Sequence, residues 1–214
     1  MMGSICLINP NTSAATTDLM VGLARAVAAP GTSIFGRTAR TGPPLIIDPH
    51  DLDVAARAVA ALAAQIFSDG VIVAAFGDPG VDELRQSLGV PVVGIGEAAV
   101  RAAAAGGRQF SIVTTTPLLE GSIGAKVAAH GFASQLASIR ISQQDPVSLT
   151  GDPVALQAVL HRLVDRCVAE DGADAIVIGG GPLAAAARAI AHLADVPIIE
   201  PVPAAVAWLE RLTA

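Results

Sequence analysis

A chain of 214 residues is long enough for one large domain or two small lobes, and its 52% hydrophobic against 15% charged content asks for more burial than one subunit supplies, so a homo-oligomer is expected. A net charge of −6, with no Lys/Arg cluster and only five Phe, one Trp and no Tyr, offers neither a phosphate-tracking surface nor a stacking platform and argues against nucleic acid as a partner. Every apolar run is broken by Arg, Asp, Gly or Pro short of a bilayer span, and residues 1–9 lack the basic region and cleavage site of a signal peptide, which predicts no membrane partner and a cytoplasmic location.

Short β-branched runs alternate with longer Ala-rich stretches of helical spacing, the pattern of parallel strands joined by crossover helices. In chain order the strands are expected near 4–9, 32–36, 70–75, 91–94, 110–115, 136–141, 174–179 and 196–199. The helices are expected near 14–29, 50–68, 80–88, 97–106, 118–131, 152–170, 182–194 and 203–213. Ser13 and Asp152 are N-cap residues, Pro153 fits a first-turn position, and Pro117 stops the strand ending at Thr116. Two connections, 37–49 and 142–151, are rich in turn formers and long enough to fold over a site.

The chain also repeats itself. ICLINPNT at 5–12 lies over FSIVTTTP at 110–117, 105 positions on, and IVAAFGDPG at 72–80 lies over VIGGGPLAA at 177–185 at the same offset. GVPVVGIGEAAV at 89–100 lies over DVPIIEPVPAAV at 195–206, now 106 positions on. Three correspondences in one order predict an α/β fold of two pseudo-symmetric tandem lobes, each a parallel four-stranded sheet flanked by helices. The lobes are expected over 1–100 and 101–214 as one functional unit, with exchange of the last helix of the first lobe into the second left open. Ligands of open α/β sheets bind beyond the carboxyl ends of strands, so Asn9–Ser13, Ala75–Gly80, Thr114–Thr116 and Gly179–Pro182 are expected to converge on a small molecule in an interlobe cleft.

Each of these segments has a chemical and a merely structural reading. The carboxamides of Asn9 and Asn11 can reach a carboxylate or amide, or can close a turn in front of Ser13. Gly77, Pro79 and Gly80 frame a strand-to-helix turn with Asp78 at its centre; Asp78 is the one carboxylate there with a claim to proton transfer, and the better reading is a cap on the helix at 80–88. Alternation sends at most two of Thr114, Thr115 and Thr116 into a cleft, where hydroxyls would donate to a carboxylate or a developing enolate. Gly180 and Gly181 before Pro182 allow close approach of substrate to backbone, or simply a tight turn. Glu97 reads as a first-turn acid, and His50 as a solvated loop histidine unless the 37–49 connection folds inward. Cys6 and Cys167 stand in no metal or redox spacing and four scattered histidines form no cluster, so no metal is expected. No G-x-G-x-x-G follows the first strand, which disfavours a nucleotide-binding Rossmann unit.

INPNTS at 8–13, AAFGDPG at 74–80, VPVVGIGEAA at 90–99, VTTTP at 113–117 and IGGGPLA at 178–184 together resemble the aspartate/glutamate/hydantoin racemase superfamily, nearest its hydantoin and allantoin branch. The resemblance covers nearly the whole chain. It implies two α/β lobes around a central cleft and cofactor-independent removal of a proton beside a carbonyl. One thiol from each lobe would act on opposite faces of the substrate carbon, with backbone N–H groups and hydroxyls holding its oxygens.

The family's thiol positions fall at Ala75 and Gly180, so both thiols are missing. Cys6 in a strand and Cys167 in a helix read as buried hydrophobes that do not replace them. The expectation is therefore a racemase-like isomerase acting on a small carbonyl compound (a hydantoin, an amide, or an amino or carboxylic acid) by another route. A lyase or hydrolase on the same scaffold, or a binding protein without catalysis, are the alternatives. Substrate would be held by Asn11, Ala75, Phe76, Gly77, Thr114, Thr115, Thr116, Gly180, Gly181 and Pro182, with Asp78 or a bound water moving protons.

Overall fold

Eight short strands in a computed structural model, which describes residues 3–213, sort into two sheets that are parallel throughout. Ser4–Asn9 (β1), Ser33–Thr38 (β2), Gly70–Val73 (β3) and Val92–Gly94 (β4) form the first, ordered β2-β1-β3-β4. Phe110–Thr114 (β5), Leu136–Ile141 (β6), Ala175–Ile178 (β7) and Ile198–Ile199 (β8) form the second, ordered β6-β5-β7-β8. Between them run the helices Ala14–Arg25 (α1), Pro49–Ala60 (α2), Val81–Ser87 (α3), Ile95–Ala103 (α4), Glu120–Ala129 (α5), Pro146–Thr150 (α6), Pro153–Asp171 (α7), Ala184–Ile190 (α8) and Pro201–Leu212 (α9). The chain divides into two compact units: residues up to Ala98 together with those from Val202 onward, and Ala99–Pro201. Helix α4 carries the chain out of the first unit and α9 returns it there.

The repeat read from sequence is written into the backbone hydrogen bonds. Ala74 N–H donates to the Ile8 carbonyl at 2.8 Å, and 105 positions on Gly179 N–H donates to Val113 at 2.9 Å. At the other end of the same strand pairs, the Asp69 carboxylate accepts from Ser4 N–H at 2.8 Å and that of Asp174 from Gln109 N–H at 3.1 Å. Strand register agrees, with Ile5 opposite Gly70 and Phe110 opposite Ala175. The inner strands β1, β3, β5 and β7 are covered on both faces, which is why they read as continuous apolar runs rather than alternating ones. Each unit has its own core cluster, Cys6, Ile8, Val59, Val71, Val73 and Leu84 among its members in the first and Val113, Leu160, Val164, Ile176 and Ile178 in the second.

Local signals place several helix starts. Ser13 Oγ accepts from Thr16 N–H at 3.3 Å, and Asp152 accepts from Val154 and Ala155 at 3.2 and 3.0 Å ahead of Pro153. The expected helix over 50–68 instead stops at Ala60, and a short 3₁₀ turn at Ala63–Gln65 follows. Ala-rich sequence favours continuing the helix, but leaving it seats both Leu62 and Ile66 in the core, and burial outweighs propensity. The 142–151 connection contains α6, capped by Asp145, whose carboxylate accepts from Ser148 N–H at 2.8 Å. His50 lies exposed in the first turn of α2, where Asp48 caps, rather than in the loop.

A polar cluster ties the edge strand β6 to the end of α7. Arg140 Nε and Nη2 donate to the two oxygens of Asp171 at 2.6 and 2.7 Å, and Ser138 Oγ donates to the same carboxylate at 2.6 Å. An acid in the last turn of a helix opposes the dipole, and the guanidinium offsets this while holding the Asp171 carboxyl below its ordinary value. A depressed folded value contributes stability that is complete above the unfolded value near 3.8 and is lost as pH falls through the lower folded one. Asp171→Asn is therefore expected to lower Tm by about 3–8 °C at pH 7. Melting curves between pH 7 and 3 should show that gap closing toward the acid end; a constant gap would mean that the ion pair contributes nothing.

Candidate functional site at the strand ends

In the first unit, β1 runs into the turn Asn9–Ser13, and the buried side chain of Asn9 organises that turn. Its Nδ2 lies 2.8 Å from Asn11 Oδ1, 2.9 Å from the Ser13 carbonyl and 3.1 Å from Thr17 Oγ1. Asn11 Oδ1 also accepts from Ser13 N–H at 2.9 Å. Both acceptor positions of the Asn11 amide are thereby filled by protein, while its Nδ2 bonds to no protein group among the described residues. The 37–49 connection reaches the same turn, since Thr12 N–H donates to the Pro43 carbonyl at 3.1 Å and Ala39 N–H to that of Asn9 at 2.9 Å.

The β3–α3 turn of the same unit carries Ala75, Phe76, Gly77 and Asp78. Ala75 is 9% exposed, Phe76 and Gly77 are half-buried, and a side chain on Gly77 would meet Leu52 Cδ2 at 2.5 Å. Asp78 is a cap, as expected, but of a different helix. Its Oδ1 accepts from Gly96 N–H at 2.8 Å and its Oδ2 from Glu97 N–H at 2.7 Å, so it closes the start of α4, whereas α3 begins behind Gly80 without a side-chain cap. For this Asp78 adopts φ 50°, the only positive φ outside glycine among the described residues. Gly94 and Gly96 make room for it: a side chain at Gly94 would overlap the Asp78 carboxyl, and one at Gly96 the Phe76 carbonyl oxygen. The GIGE run thus has a steric reason that its spacing alone did not reveal. Glu97, besides opening α4, accepts from Arg85 Nη2 at 2.9 Å.

In the second unit, β5 ends in Thr114, Thr115 and Thr116. Thr114 Oγ1 donates to the Gly179 carbonyl at 3.1 Å, which spends its one proton, so Thr116 is the donor in the 3.3 Å contact between their hydroxyls. Thr115 is buried, and its hydroxyl bonds to no protein group among the described residues. Thr114 is thus a strut between the ends of β5 and β7. The turn after β7 holds Gly180 at φ 126° and ψ 129°, a conformation that excludes most side chains, with Gly181 buried and Pro182 opening a short 3₁₀ turn.

Neither cysteine offers a thiolate. Burial pushes the Cys6 thiol up to about 11, against a smaller lowering by Arg37, and burial also raises that of Cys167. Among the described residues no group of three or more His, Cys, Asp or Glu side chains is arranged to hold a metal ion, and no helix is long and apolar enough to cross a membrane.

Two α/β units built alike, with hydroxyls and carboxamides at equivalent strand ends, match a known family: the Asp/Glu/hydantoin racemase profile covers residues 5–209. The chain belongs to that family. A hydantoin racemase of Paenarthrobacter aurescens is 32% identical over 214 residues, which cover 98% of this chain and 91% of the relative. The solved allantoin racemase of Klebsiella pneumoniae is 37% identical with a TM-score of 0.91, over 98% of this chain and 87% of that one. For the allantoin racemase of Pseudomonas fluorescens the values are 34% and 0.93, over 98% and 90%.

Proposed function

We propose that this racemase-family protein is a cofactor-independent isomerase of small cyclic amides of the hydantoin and allantoin class, working by stabilising an enolate rather than through a pair of thiols. The observation that carries this reading is that each unit ends a strand in a donor which no protein acceptor satisfies among the described residues, Asn11 Nδ2 in the first and Thr115 Oγ1 in the second. Donors fixed in advance toward a carbonyl oxygen stabilise the negative charge that develops there when the neighbouring carbon loses its proton, without reorganisation at the moment of reaction. Phe76 and Gly77 would flank the strand end of the first unit, Gly181 and Pro182 that of the second, and Thr114 would hold the Gly179–Gly180 turn in place. The proton is assigned to water, because Asp78 holds the start of α4 with both oxygens and the two thiols are pushed upward by burial. Return of a proton to the opposite face inverts the centre.

A second reading, a binding protein without catalysis, draws on Ala75 and Gly180, neither of which titrates. Single enantiomers of hydantoins, allantoin, aspartate and glutamate incubated with the protein in heavy water separate the two. The isomerase is expected to place deuterium on the α carbon as optical rotation decays, most readily with the cyclic amides. Thermal stabilisation by a ligand with no exchange would establish the binder instead. Ring opening or loss of carbon dioxide would point to a hydrolase or lyase on this scaffold.

A further inference from the structure

The geometry points to Asn9 as a positioning residue that decides which end of the Asn11 carboxamide is offered to substrate, and so restricts that position to ligand oxygens that accept hydrogen bonds; this rests on Asn11 being a binding group. The polarity of Asn9 is fixed from both ends. The Ser13 carbonyl, 2.9 Å from Nδ2, can only accept, and the Asn11 N–H, 3.2 Å from Oδ1, can only donate. Pro10 between them has no N–H to compete for Oδ1, so the side chain turns to the second residue on. Thr17 Oγ1, itself 2.7 Å from Thr38 Oγ1, holds Asn9 Nδ2 from the side of α1.

With Asn9 so held, Asn11 Oδ1 faces two donors, Asn9 Nδ2 and Ser13 N–H, and a flipped amide would put its own N–H groups against them. Asn11 therefore presents Nδ2 outward. A carboxylate or carbonyl oxygen of a ligand is accepted at that position and a ligand N–H is refused. No such device exists at the equivalent place in the second unit, where the residue 105 positions on is Thr114 and its hydroxyl serves the Gly179 carbonyl.

Two measurements test this. Water exchange of side-chain amide protons, followed by ¹⁵N NMR on the full chain, needs no ligand: the Asn9 Nδ2 protons are expected to be protected and those of Asn11 to exchange freely. In Asn9→Asp, which leaves only acceptors at that position, the Asn11 protons should turn inward and become protected. Protected Asn11 protons beside freely exchanging Asn9 protons in the wild type would overturn the assignment, whether or not any variant folds.

The second measurement is allantoin affinity by calorimetry. Asn9→Asp should weaken it by about 10- to 100-fold. In an Asn11→Asp background the same change should have little further effect, because Asn9 acts only through Asn11. Additive losses in that cycle would also overturn the proposal. Arg25→Ala, which removes the 2.9 and 2.6 Å bonds to the Ile34 carbonyl, provides a destabilised form of the same unit whose allantoin affinity should not change. A wild type that binds no allantoin while its amide protons behave as expected would count against the proposed substrate class and leave the role of Asn9 standing.

Discussion

Replacing Ala75 and Gly180 together by cysteine is expected to speed deuterium exchange at the α carbon of a single hydantoin enantiomer by about 10²- to 10⁴-fold over the wild type, the usual contribution of positioned acid–base groups. The family resemblance assigns these positions to one thiol from each unit, and an unperturbed thiol near 8.5 is within reach of the task. The two substitutions are not equivalent. Ala75 already carries a Cβ and is almost buried, so a single sulfur is the only addition. Gly180 sits at φ 126°, where a side chain costs about 1–3 kcal/mol, although the space beyond its Cβ is open to ordinary contact with Leu183 at 3.5 Å. The Gly180→Cys variants should therefore melt several degrees lower while remaining folded. A folded double variant with no exchange beyond the wild type would show that Ala75 and Gly180 are not the thiol positions.

The second large effect concerns the support beneath the turn that carries Ala75. Gly96→Ala is expected to cost about 3 kcal/mol or more, read as loss of Tm, because the new methyl would enter the Phe76 carbonyl oxygen and stand 2.9 Å from Asp78 Oδ2. Main chain cannot rotate away as a flexible side-chain end can. Asp78→Ala should cost about 2–4 kcal/mol by removing both amide bonds at the start of α4. Exchange measured on Asp78→Ala below its melting range then separates two roles. Retained exchange fits a cap; complete loss in a folded protein would reinstate Asp78 as the proton carrier and displace water from that part of the proposal.

Sequence pattern went far with this fold because its elements are specified locally. Continuous apolar runs bounded by turn formers marked the inner strands, and Ser13, Asp152 and Pro153 each start a helix by contacts within three residues. The duplication was visible because equivalent positions in two parallel sheets face equivalent demands, which keeps the 105-residue offset in both letters and hydrogen bonds. The strand ends that carry Asn11, Thr115 and Gly180 were legible for the same reason.

The amino-acid order by itself determined the alternation of strand and helix, the repeat and the polar residues at the carboxyl ends of strands, since each depends on neighbours along the chain. Only the tertiary structure decided that Asp78 caps a helix 18 residues further on, that Asn9 and not Asn11 is the buried organiser of the first turn, that Thr114 is spent on Gly179, and that α2 breaks to bury Leu62 and Ile66. Those choices belong to hydrogen-bond direction and to space shared by segments distant in the chain. Residue type lists the donors, acceptors and methyl groups available, but which of them meet is settled when the backbone brings their partners within about 3 Å.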